Sequence, residues 1–93
     1  MSKQPLDFTK IEALRKHMLL TKADLCKLIG VSRMAYHGWL KGTPVRATND
    51  EAVRSVLRQL VYVVRTSGWP QPEVKGLSHQ QRFARLLDLI KQQ

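Results

Sequence analysis

Ser32, Arg33, Met34, His37, Gly38 and Lys41 lie within ten positions of one another, and from Arg33 onward they recur every three to four residues. On a helix that spacing gives one continuous side. The side carries donors, a cation at each end and no carboxylate. Such a surface suits a polyanion whose edges also accept hydrogen bonds, as the DNA major groove does. Arg offers paired donors to guanine, Ser and His bond either way, and Met can touch a thymine methyl. Gly38 costs a helix interior about 1 kcal/mol relative to Ala. That is explained either by close backbone approach to another surface or by the nearness of the helix end.

Catalysis has no comparable cluster. The seven carboxylates are scattered, with Glu12, Asp24, Asp50 and Glu51 near expected helix starts. No Ser-His-Asp or Cys-His set and no phosphate-cradling glycine loop can be assembled, so the chain is expected not to be an enzyme. His17, His37 and His79 stand far apart, and the single Cys26 excludes a disulfide framework or a cysteine zinc cluster. No metal and no cofactor are expected. Cys26 reads as a small core residue and His79 as a surface residue.

The elements that must position the outward residues are helices. Thr9-x-x-Glu12, Thr21-x-x-Asp24, Thr48-x-x-Glu51 and Ser78-x-x-Gln81 each set a hydroxyl three residues before an acceptor, the capping-box arrangement. Apolar residues at helical spacing follow each start and predict helices over about 10–19, 22–29, 49–66 and 79–92. Gly30, Gly42 and Gly68 are expected to end the second, third and fourth helices in the left-handed conformation. Pro70, Pro72 and Gly76 predict an irregular connector over 68–77. The β-branched run Val61-Tyr62-Val63-Val64 could support a strand, but unbroken helical spacing favours helix. The fold class expected is all-α with about five helices. Residues 1–67 form the core unit, and residues 68–93 a connector plus a C-terminal helix.

The 93 residues leave room for one small domain burying roughly 60–65% of its unfolded surface. Sixteen Lys and Arg against seven Asp and Glu give +9 at ordinary apolar content, pointing to a polyanionic partner, nucleic acid first. The excess is spread evenly and is slightly greatest over 21–42, at +3. No apolar run approaches the roughly 20 residues of a membrane span, and the opening does not read as a secretory signal. The expectation is a soluble, cytoplasmic protein without a membrane partner.

Residues 21–42 read TKADLCKLIGVSRMAYHGWLKG. Only Gly30-Val31-Ser32 separates two helices, so they must cross steeply over a small residue, and Cys26 is small enough. Leu25, Ile29, Val31, Ala35, Tyr36 and Trp39 can then form a shared interior, with Trp39 locking the second helix to the body. This segment resembles the helix-turn-helix of the lambda-repressor-like Cro/CI family. Cys26, Gly30, Val31, Ser32, Trp39 and Gly42 stand where that pattern places a small residue, the Gly-hydrophobic-Ser/Thr turn, the tryptophan and the closing glycine. The likeness is specific over about 22 residues and loose over 10–66.

The resemblance implies a DNA-binding regulator, a repressor or accessory control protein of bacterial or phage type acting on the nucleoid. It puts Ser32, Arg33, Met34, His37 and Lys41 at base edges, and Lys22 and Arg46 on phosphates. Tyr36 departs from the family's branched aliphatic residue. Either it stays buried with a partner for its hydroxyl, or it reaches the groove edge as a DNA contact.

One such helix reads too few base pairs for specificity, and a two-fold dimer is the usual remedy. The 49–66 helix has an apolar stripe wider than one face needs, and Phe83, Leu86, Leu87 and Ile90 add another. These four are expected to form a homodimer contact, or else to complete the monomer core. Arg54, Arg58 and Arg65 read as a solvated face, and Trp69 as folding back over the end of the long helix. Two other functions fit the scaffold. One is an adaptor that seizes a polymerase, a repressor or another protein of the transcription machinery, and the other is a recombination-accessory DNA binder. The adaptor would need apolar outward groups, and only Met34 qualifies.

Overall fold

Two of the four hydroxyl caps form as the spacing predicts. Thr21 and Asp24 close a capping box at the start of α2 (Lys22–Ile29), and Ser78 and Gln81 close one at the start of α5 (His79–Lys91). The other two helices begin two residues earlier than expected. The Asp7 carboxylate accepts from the Thr9 and Lys10 N–H groups at 3.0 and 3.3 Å, so α1 runs Phe8–His17 and Thr9 lies inside it. Glu12 cannot turn back to close a box there, because Arg15 and Tyr36 hold its carboxylate. The long helix α4 is Ala47–Ser67, with no side-chain cap on its first turn. Asp50 and Glu51 pair forward with Arg54 and Arg58 instead, at 2.6 and 3.7 Å.

These facts come from a computed structural model describing residues 4–92. Residues 1–3 and 93, the ends of the two expected segments, lie outside the described residues. Among the described residues the architecture is all-α with five α-helices, and α3 spans Arg33–Leu40. The run 61–64 is helical within α4. Gly30, Gly42 and Gly68 all adopt positive φ, at 89°, 107° and 72°. Leu19 does so as well, at 62° and without being glycine. It sits between Met18 and Leu20, both buried, so the short link after α1 is bent to bury its two neighbours.

The connector is more ordered than expected. Pro72–Gly76 forms a 3₁₀ turn whose Val74 is fully buried. Trp69 is also buried, and its indole N–H donates to the Met18 carbonyl at 3.0 Å, pinning the connector to the end of α1. The ring therefore goes into the body and does not merely cover the end of α4.

One hydrophobic cluster joins all parts of the chain. It contains Ile11, Met18, Leu25, Leu60 and Trp69 together with Leu86 of α5. Leu86 has no exposed surface, and Phe83 and Ile90 pack half-buried against the same cluster. Leu86 therefore completes the core and is not available to a second copy, while Phe83 and Ile90 give part of their surface to the same cluster. Leu87 is half-buried and lies outside the cluster. The physical reason is size: so small a domain needs the apolar face of α5 to enclose its interior. Residues 68–92 thus share one core with residues 4–67.

Candidate nucleic-acid interface

The turn between α2 and α3 follows from three local hydrogen bonds. Gly30, left-handed, donates its N–H to the Cys26 carbonyl at 2.8 Å, and Val31 donates to the same oxygen at 3.1 Å. Ser32 then caps α3 by accepting from the Ala35 N–H at 3.1 Å. Cys26 is buried at the crossing, and burial pushes its thiol pKa up, as befits an unreactive core residue.

Underneath, Tyr36 and Trp39 face the core. Phe8 of α1 lies against both rings, with centroids 6.1 and 6.0 Å away. Tyr36 is 1% exposed, and its hydroxyl donates to Glu12 Oε2 at 2.7 Å. Of its two readings the structure shows the buried one, with a partner for the hydroxyl, and the residue also lines the inner wall of the cleft between α2 and α3. Glu12 is gripped at the same time by the Arg15 guanidinium at 2.7 and 3.0 Å. That hydrogen bond, helped by Tyr36 and opposed by burial, holds the Glu12 carboxyl down at about 2. Burial first, and Glu12 second, push the Tyr36 phenol well above its ordinary value.

On the outer side Ser32, Arg33, Met34, His37 and Lys41 are exposed, Met34 by 86%. Gly38 is the exception among the six. It is half-buried, its carbonyl accepts the Thr43 N–H at 2.9 Å, and a methyl placed on it would meet Thr43 Oγ1 at 3.4 Å. The chain reverses over Gly38 as it leaves α3, so this position faces the protein's own loop.

The fold brings Lys22, Arg33, Met34 and His37 to one open cleft of about 780 Å³ between the start of α2 and the outer side of α3. Leu20, Ala23 and Arg15 also line it. Arg15 escapes sequence reasoning as a cleft residue, although its three-residue spacing from Glu12 signals their pairing. Lys41 and Arg46 are exposed away from that cleft, at the end of α3 and at the cap before α4. Arg54 departs from the expected solvated face: it is half-buried and donates to Asp50 at 2.6 Å and to the Gln4 carbonyl, whereas Arg58 and Arg65 are exposed.

His79 is exposed, as expected, and it also has a partner. Its Nε2 lies 2.8 Å from Asp24 Oδ2, the oxygen that also accepts the Thr21 N–H at 2.9 Å. Burial pushes the Asp24 carboxyl up, but the Thr21 N–H and His79 more than offset this, and its pKa lies below the ordinary value. The start of α5 is thereby tied to the cap of α2. Compared with family models, with curated proteins and with solved structures, the chain finds no match.

Proposed function

We propose that this chain is a sequence-specific double-stranded DNA-binding regulator, with α3 as its reading helix. One observation carries the proposal. Lys22, Lys27, Arg33, Lys41 and Arg46 are all exposed and form no ion pair among the described residues, while Asp24, the sole carboxylate between positions 21 and 46, is 4% exposed. The positive field of the helix-turn-helix face is therefore not neutralised from within, and an external polyanion is its natural complement.

The cleft divides the work. Lys22 supplies a cation for a phosphate at the edge, with Arg46 doing so farther along. Arg33, Ser32 and His37 supply donors for base edges, and exposed Met34 supplies an apolar contact for a thymine methyl. Lys41 extends the cationic edge past the helix end. In this reading the protein acts in the cytoplasm on the nucleoid as a repressor, blocking its site by occupancy.

Selection of bound duplexes from a random pool tests the proposal. A consensus is expected, and a palindromic one means that two copies bind together. Affinity should fall with salt by a logarithmic slope of about 0.9 per phosphate contact. Arg33→Ala should cost about 1–3 kcal/mol on the selected site and leave other sequences nearly unchanged. Enrichment of no sequence, or an equal loss on all duplexes, overturns base reading by α3.

A further inference from the structure

Five residues of α4 take no part in the proposed DNA reading: Arg58, Val61, Tyr62 and Arg65, and beside them Leu57, which is half-buried at the edge of the core. Leu57, Val61 and Arg65 form one row at four-residue spacing, and Arg58 and Tyr62 form the adjacent row. Together they line a shallow groove of about 390 Å³. Tyr62 is 51% exposed, and with Met34 it is one of two large hydrophobic side chains left in solvent among the described residues. Arg65 is exposed and forms no ion pair among the described residues. Among the described residues Arg58 reaches Glu51 alone, at 3.7 Å, with both side chains more than half exposed. Two guanidinium groups thus stand at opposite corners of an apolar strip with little of their charge compensated.

We propose that this face docks an acidic amphipathic helix of a partner protein. Its apolar residues cover Leu57, Val61 and Tyr62, and its carboxylates meet Arg58 and Arg65. A second copy of this chain is the poorer occupant. Parallel pairing of two α4 helices sets Arg58 on Arg58 and Arg65 on Arg65. Antiparallel pairing centred on Val61 sets Arg65 on Leu57 and Arg58 on Val64. Neither brings a carboxylate to a guanidinium, and each adds like charge between chains already at +9. Acidic flanks correct both faults, and the narrow strip matches one helix.

Selection on the full chain tests this. The probe is a displayed library of helices about 16 residues long, with a fixed apolar stripe and flanking positions free to be Glu, Lys, Gln or Ser. Glu-rich flanks are expected to be enriched. A synthetic peptide of the enriched sequence should bind about tenfold or more weakly to Tyr62→Glu and to Arg65→Glu. Both positions are exposed, so unchanged unfolding curves are expected to show that the variants fold. Amide shifts on peptide binding should centre on residues 57–65, with α3 unmoved. Absence of enrichment, neutral or basic flanks, or binding indifferent to both substitutions overturns the proposal. So does a dimer of the full chain that Tyr62→Glu dissolves.

Discussion

The Tyr36 hydroxyl and the Glu12 carboxylate meet at 2.7 Å across 24 positions of sequence, with the Arg15 guanidinium closing on the same carboxylate. Through this contact α1 holds α3 from below, while Trp39 and Phe8 hold it through their rings. The outer residues of α3 therefore stand on a support that is rigid for electrostatic as well as apolar reasons. A buried Tyr hydroxyl on an acceptor fixes the roll of the helix about its axis, which apolar packing alone fixes less sharply.

The two partners should differ in cost when removed. Tyr36→Phe keeps the ring in its place and leaves Glu12 with both bonds from Arg15, so about 1 kcal/mol is lost. Glu12→Ala leaves both the Arg15 guanidinium and the Tyr36 hydroxyl short of a partner, and about 2–3 kcal/mol is expected. Urea unfolding of the two variants measures this. Equal losses, or a greater loss in Tyr36→Phe, would show that the carboxylate does not organise the contact.

Acid should unfold the protein through the same carboxylate. Glu12 is held at about 2 in the folded chain against an ordinary value of 4.5, so between these values the unfolded chain binds more protons. The stabilisation is therefore complete above the upper value and is lost as pH falls toward the lower. Asp24, also held below its ordinary value, adds the same sign. Stability measured against pH should decline over this window in the native protein and decline less steeply in Glu12→Gln, with the Asp24 share remaining. Parallel curves would remove Glu12 as a source of the acid response.

Much of the fold was legible because short-range physics sets it. Thr21, Asp24, Ser78 and Gln81 cap helices as their spacing predicts, and Gly30 ends α2. Where a side chain has a distant alternative, spacing misleads. Glu12 sits three residues after Thr9, yet its carboxylate goes to Arg15 and Tyr36, and Asp7 caps α1 instead. His79 shows the same limit, since nothing near it in sequence announces Asp24, 55 positions earlier. The outward residues of α3 were legible from periodicity, except Gly38, whose environment depends on the path of the chain after Lys41. The fate of Leu86 was open between core and dimer because an apolar stripe does not specify what covers it.

The last helix should prove indispensable to folding. A chain ending at Gly76 loses Leu86 from the core, uncovers the surface that Phe83 and Ile90 pack on, and leaves Asp24 without His79. Those apolar residues together contribute about 5 kcal/mol, comparable to the whole stability of many small domains. Circular dichroism during urea titration should show no cooperative transition for the shortened chain. A cooperatively folded monomer would mean that the core closes without α5.

Gly38→Ala separates helix stability from DNA contact. The backbone of Gly38 is not in the left-handed region, so alanine brings its helix preference, worth up to about 1 kcal/mol. The new methyl would lie 3.4 Å from Thr43 Oγ1, an ordinary van der Waals distance, and it would point at the loop after α3. Thermal unfolding should therefore move upward or stay level. Affinity for the selected duplex should change by less than about twofold, because no atom is added on the side of Arg33 and His37. If stability holds while affinity drops by about tenfold, the backbone at Gly38 itself lies against the DNA, and the glycine serves close approach after all.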